Sequence, residues 1–167
     1  MKQSLKVIAK LFVPLLLTLS TSSCIEVGKS ASTQCIPTNF PNNWLQQQEQ
    51  AGGHTIERHV GKSDQQLMER LRREPRIRAA STYPNSETAS THLRAALRAN
   101  AGKLNQWANS AANGQKQVVD YNANQVVGRV ASRPPSSNNI KNTQKLRAVL
   151  VAKGGGNCFL LTSYPNM

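Results

Sequence analysis

The hydrophobic period of this chain changes near residue 115, and that change limits the available folds more than any other feature. Before it, Leu67, Met68 and Leu71, and then Ala89, Leu93, Ala96 and Leu97, recur at helical spacing. After it, Gln117 to Tyr121 and Gln125 to Ala131 read as strands divided by an Asn-rich turn. Leu146 to Lys153 alternates, turns through Gly154 to Asn157 and continues as Cys158 to Tyr164, the pattern of a β-hairpin. Helices first and strands later predict an α+β domain, its amino-terminal helices packed on a twisted antiparallel sheet.

The chain of 167 residues has room for one such domain. Lys2, Lys6 and Lys10, an apolar run from Leu11 to Leu17 and small residues up to Ser23 predict a signal peptide over 1–23. The run is too short for a membrane span. Cys24 follows the small residues, so a lipid on Cys24 and ordinary cleavage stay open, although Thr21 stands where a lipoprotein signal usually has Leu. The protein is therefore expected outside the cytoplasm, secreted or as an outer-envelope lipoprotein, with any anchoring in the membrane through Cys24. Residues 24–49 read as a tether followed by a short helix near Asn43–Ala51, and the domain proper is expected over 50–167. Export permits disulfides, and three cysteines leave one over. The favoured pair is Cys35 with Cys158; a bridge between Cys24 and Cys35 competes.

Lys and Arg exceed Asp and Glu by 21 to 8, a net charge of +13, and removal of the leader's three lysines leaves +10. An excess of that size on a small domain points to a polyanion, with nucleic acid first and anionic lipid or glycan behind it. Much of the charge gathers between Gly52 and Arg78. There His54, His59, Lys62, Arg70 and Arg73 surround a helix that Ser63 and Gln66 should open as a capping box and Pro75 should stop, at about residues 63–74. Imidazole titrates near neutrality and Arg or Lys compensates a phosphate, so this cluster can move a proton beside a bound phosphate. A solvated basic face is the default for Arg72, Arg73, Arg76 and Arg78, but this one adjoins the histidines. His92, next to Leu93 on the following helix, reads as structural.

In the final strand Thr162 and Tyr164 face one way and Ser163 the other, so two hydroxyls can line a cleft, a weak signal on its own. Metal chemistry fits poorly. His54 and His59 would stand about 140° apart on a helix, and the few carboxylates leave no obvious third ligand. No metal and no cofactor are expected.

His59 to Ser63, Arg70 on the next helix, Gly128 with Arg129 in a mid-domain strand and Thr162 to Tyr164 near the end together resemble the bacterial RNase A-like toxin domain. That domain forms the carboxyl-terminal toxin of contact-dependent inhibition proteins (CdiA) and of other polymorphic toxins. The resemblance covers roughly residues 50–167. It implies the kidney-shaped fold of pancreatic ribonuclease and places the family's catalytic residues on His59, Arg70, Thr162 and Tyr164. Lys62 becomes a phosphate ligand by position, with His54, Arg73 and Arg129 as further substrate contacts. RNA, tRNA among the candidates, is the implied substrate, a cognate immunity protein the implied partner, and a monomer the expected state. The chain departs from the large toxins in carrying its domain directly behind a leader.

Cleavage of RNA without metal needs a base for the 2′-OH proton, cations for the pentavalent phosphorane and an acid for the leaving 5′-oxygen. His59 suits the first role and Arg70 with Lys62 the second. His54 and Tyr164 both remain open for the third. The competing reading is a non-catalytic basic protein of the envelope that binds anionic glycan, lipid or nucleic acid.

Overall fold

The computed structural model describes residues 34–167. The signal peptide expected over 1–23 and the lipidation candidate Cys24 lie outside the described residues. Within them run α1 (Trp44–Gln50), α2 (Thr55–His59), α3 (Asp64–Arg73), β1 (Ala79–Thr82), α4 (Ser86–Ala99), α5 (Ala101–Ser110), β2 (Lys116–Asn122), β3 (Gly128–Ser132), β4 (Ile140–Thr143), β5 (Lys145–Gly154) and β6 (Asn157–Asn166). The class is α+β, as the change of period predicts. The strands, however, form two three-stranded antiparallel sheets rather than one, ordered β1-β3-β4 and β2-β5-β6.

Helices α2, α3 and α4 start where side-chain oxygens take up the free amides of a first turn. At α3 the Ser63 hydroxyl accepts from the Gln66 amide and the Gln66 side chain accepts from the Ser63 amide, a complete capping box. At α4 the Asn85 side chain accepts from the Thr88 amide at 2.8 Å. For α2, only five residues long, the Glu49 carboxylate reaches across from α1 to the amides of Ile56 and Glu57 at 3.1 and 2.8 Å. A negative group there also suits the positive end of the helix. After Asn100 the chain continues as a second full helix, α5. Gly102 sits in it with open space where a Cβ would be, so it costs only about 1 kcal/mol of propensity and does not break the chain.

Helices α4 and α5 lie on one face of the β2-β5-β6 sheet, where Leu93, Leu97 and Leu104 meet Val119, Leu146, Ala148 and Leu150 in the main core. A smaller core joins Leu67 and Leu71 of α3 to Ala80 and Ala131 of the other sheet. Two strands of that sheet escape sequence reading because β1 and β4 are four residues long and carry no alternating apolar run. Strand β3 begins at Gly128, later than expected, since Gln125 and Val126 stay exposed in the preceding turn.

The tether expected from residue 24 ends early, and the fold begins well before residue 50. Cys35, Ile36, Phe40, Trp44 and Leu45 are all buried in the main core. The Ile36 amide donates to the Asn105 side chain, Arg94 donates to the Pro41 and Asn42 carbonyls, and Arg98 lies over the Phe40 ring. Isolated apolar residues among Ser, Thr and Pro have no period, so composition alone reads this segment as linker. Cys35 is bonded to Cys158 of β6, which closes the arm onto the last hairpin and excludes a Cys24–Cys35 bridge.

Candidate active site

Five elements converge on one cleft of about 290 Å³: α2, α3, β1, β3 and β6. Its polar lining includes His54, Arg58, His59, Arg70, Thr162, Tyr164 and Asn166, with Val130 and Ile77 as apolar floor. What brings β6 here is the hidden member of the Thr162-Ser163-Tyr164 run. Ser163 is fully buried on the opposite face, where Tyr83 donates to its hydroxyl at 2.7 Å and that hydroxyl donates to the Arg147 carbonyl. Its amide donates to Thr55 at the start of α2. One serine thus locks β6 to β5, to α2 and to Tyr83 just after β1, and strand alternation then turns Thr162 and Tyr164 into the cleft.

His59 closes α2 and is only 8% exposed. Its Nδ1 lies 3.1 Å from the Ser81 carbonyl, which can only accept. Nδ1 therefore carries the proton in the neutral ring and Nε2 holds the lone pair. Burial is the main force pushing this imidazole down from 6.5 to about 4; the bond to Ser81 opposes it, and the positive charge of Arg70 adds to the fall. The ring lies 5.2 Å from that of Tyr164, tilted by 32°. His54 precedes the helix, lines the same cleft and is lowered as well, by burial first and then by Arg58.

The backbone around His59 is tied down on both sides. Tyr83 donates its amide to the His59 carbonyl and accepts from Gly61, while the Lys62 amide donates to Thr82. Gly61 sits at φ +67°, a left-handed turn that favours glycine and lets the chain leave α2 for α3. Gly128 is required for closeness: a Cβ there would meet the Thr82 carbonyl at 2.3 Å and the Pro165 ring at 2.6 Å, where β1, β3 and β6 crowd behind the cleft.

Arg70 projects from α3 into the cleft, and Glu74 engages its Nε at 3.2 Å. On its other side a second groove, of about 310 Å³, is lined by Arg58, Lys62, Arg70 and Arg73. Arg58 and Arg70 line both, so cations extend from the histidines to Lys62 and Arg73, with Glu57 and Glu74 interspersed among them. Lys62 thus stands in the adjoining groove and not beside His59. The Thr162 Oγ1 is buried without a hydrogen-bond partner among the described residues, a hydroxyl left over by the fold.

Arg129 is not in the cleft. Its guanidinium donates to the Lys62 carbonyl and pairs with Asp64 at 3.2 Å, so it clamps the loop between His59 and α3. Alternation explains this, since the neighbouring Val130 takes the cleft side of β3. Sequence reasoning passed over Arg58, whose position beside His59 in a cationic run was the available signal. It also had no means of finding Ser81, which acts through its carbonyl alone.

Residues 53–165 match the family model described as the bacterial CdiA-CT RNAse A domain. Among solved structures, one titled as a CdiA-CT/CdiI complex from Y. kristensenii 33638 aligns with a TM-score of 0.60 and 26% identity, over 69% of this chain and 100% of that one. No curated protein shows significant similarity to the chain. With the family model spanning most of the described residues and every element that lines the cleft, this chain belongs to the bacterial CdiA-CT RNase A family.

Proposed function

We propose that this protein is an exported, metal-independent endoribonuclease that cleaves RNA by attack of the 2′-OH on the adjacent phosphate, and that it acts as a toxin. Ribonuclease activity belongs to the family as a whole. The observation that carries the mechanism is His59, buried and neutral, with Nδ1 spent on Ser81 and Nε2 left as a lone pair in a cleft shared with Arg70.

In this reading Nε2 of His59 takes the 2′-OH proton. Arg70, with Arg58 behind it, offsets the charge that develops on the phosphorane. The unpaired Thr162 hydroxyl donates to a phosphate oxygen or to the base, and Tyr164, against the His59 ring, positions the ribose or delivers the proton to the leaving 5′-oxygen. His54 is the other candidate for that proton. Lys62 and Arg73 receive a flanking phosphate in the adjoining groove. The base, once protonated, is stabilised by the phosphate it faces, which cancels part of the push from the arginines.

A cognate immunity protein is the partner proposed, because the similar solved structure is a CdiA-CT bound to CdiI. Incubating the purified protein with tRNA in excess EDTA tests the reading. Cleavage of RNA with DNA left intact is expected, since the chemistry needs the 2′-OH and no metal. Loss of activity in EDTA, or equal cleavage of DNA, contradicts it.

A further inference from the structure

The sheet face that carries Thr162 and Tyr164 continues beyond β6. Across β5 and β2 the register sets two rows on it: Tyr164 beside Arg147 beside Asp120, and Asn166 beside Lys145 beside Asn122. Helices α4 and α5 cover the opposite face, so these six residues share the side on which the cleft opens. A groove of about 380 Å³ lies along them and meets the cleft at Asn166 and Met167, which line both.

The groove is polar and mixed in its chemistry. Arg147 grips the Asp120 carboxylate with Nε at 2.7 Å and Nη2 at 2.8 Å, a two-point pair that fixes both groups flat on the sheet. Lys145 is exposed and takes part in no ion pair among the described residues. The Asn122 side-chain Oδ1 accepts from the Asn124 backbone amide, which orients the side chain and leaves its Nδ2 to donate. Strand β5 lies about 4.8 Å from β6, and β2 as far again, which is within reach of the nucleotide next to the one being cleaved. A free lysine suits a phosphate, whereas a fixed pair of donor and acceptor groups suits the edge of a base.

We infer that this groove is a second nucleotide subsite, in which Lys145 holds the phosphate next to the scissile one and Asn122 with the Arg147–Asp120 pair contacts the adjoining base. The inference rests on the ribonuclease reading. It predicts that substrate extending past a single phosphodiester gains affinity from residues that take no part in the chemistry.

Two substrates with the same central step test it: a dinucleoside monophosphate, which has no second phosphate, and a hexanucleotide. Their kcat/KM values are compared in EDTA for the wild type, Lys145→Ala and Lys145→Glu, with melting curves to establish folding. The hexanucleotide to dinucleotide ratio should fall about tenfold in Lys145→Ala and further in Lys145→Glu, and the salt slope for the hexanucleotide should shrink by about 0.7, one phosphate on a single strand. A ratio within twofold of wild type in both variants, with the wild type active, overturns the subsite alone. A folded wild type inactive on both substrates overturns the ribonuclease reading and the subsite with it.

Discussion

At the scale of single residues, His59 makes two predictions that pull on the same physics. The free protein holds its imidazole at about 4, so kcat/KM should stay level on the acid side until roughly that pH instead of breaking near 6.5. The acid limb of kcat should lie higher, because bound phosphate counters Arg70. A kcat/KM limb at or above 6.5 would mean an imidazole in open solvent. For stability the sign is also fixed: the unfolded histidine binds a proton below 6.5 and the folded one only near 4, so stability declines as pH falls through that window. His54 and His92 are lowered too, and His59→Gln should therefore shrink the decline without abolishing it. Thr162→Val separates function from folding. Removing a buried hydroxyl that has no partner should leave the melting temperature unchanged or slightly raised, while kcat/KM falls about tenfold or more for a lost charge-assisted hydrogen bond. Parallel loss of stability and activity would assign Thr162 to the core instead.

At the scale of elements, the loop between α2 and α3 and the carboxyl end of α3 are held by arginines that bond to carbonyls. Arg129→Ala should lower turnover severalfold and leave the salt dependence of RNA binding unaltered, since it frees the Lys62 loop without removing a phosphate contact. A reduced salt slope in that variant would return Arg129 to the substrate. Arg133 donates to the carbonyls of Leu71, Glu74 and Ile77, so Arg133→Ala should cost about 1–2 kcal/mol in denaturant unfolding. These ties also mark where sequence reading reaches its limit. The capping box of α3 and the final hairpin are signals carried within one turn or one strand, and each is visible in the letters. Strand β1, the helix α2 held by Glu49 of a neighbouring helix and the role of Arg129 are fixed by partners 7 to 67 residues away, and no local pattern encodes them. The face of Thr162 and Tyr164 was legible because strand alternation is local. That Ser163 locks this face in place was not, since Tyr83 is 80 residues distant.

At the scale of the whole molecule, the Cys35–Cys158 bond closes a span of 123 residues around nearly the entire fold. By the loop-entropy account its loss should cost about 5 kcal/mol, and a Cys35→Ser, Cys158→Ser double variant should melt well below the oxidised protein. Equal melting temperatures would contradict that role. The excess of Lys and Arg suits a polyanion such as RNA, but charge alone would serve a passive binder equally well. What distinguishes an enzyme is a lone pair placed beside cations in a cleft. The most direct measurement of that claim is the turnover of single-stranded RNA in EDTA by the wild type and by His59→Ala, with RNA affinity and melting curves determined on both. The account predicts a loss of about two to four orders of magnitude in turnover with affinity little changed; a folded His59→Ala protein that cleaves RNA at nearly the wild-type rate would contradict it.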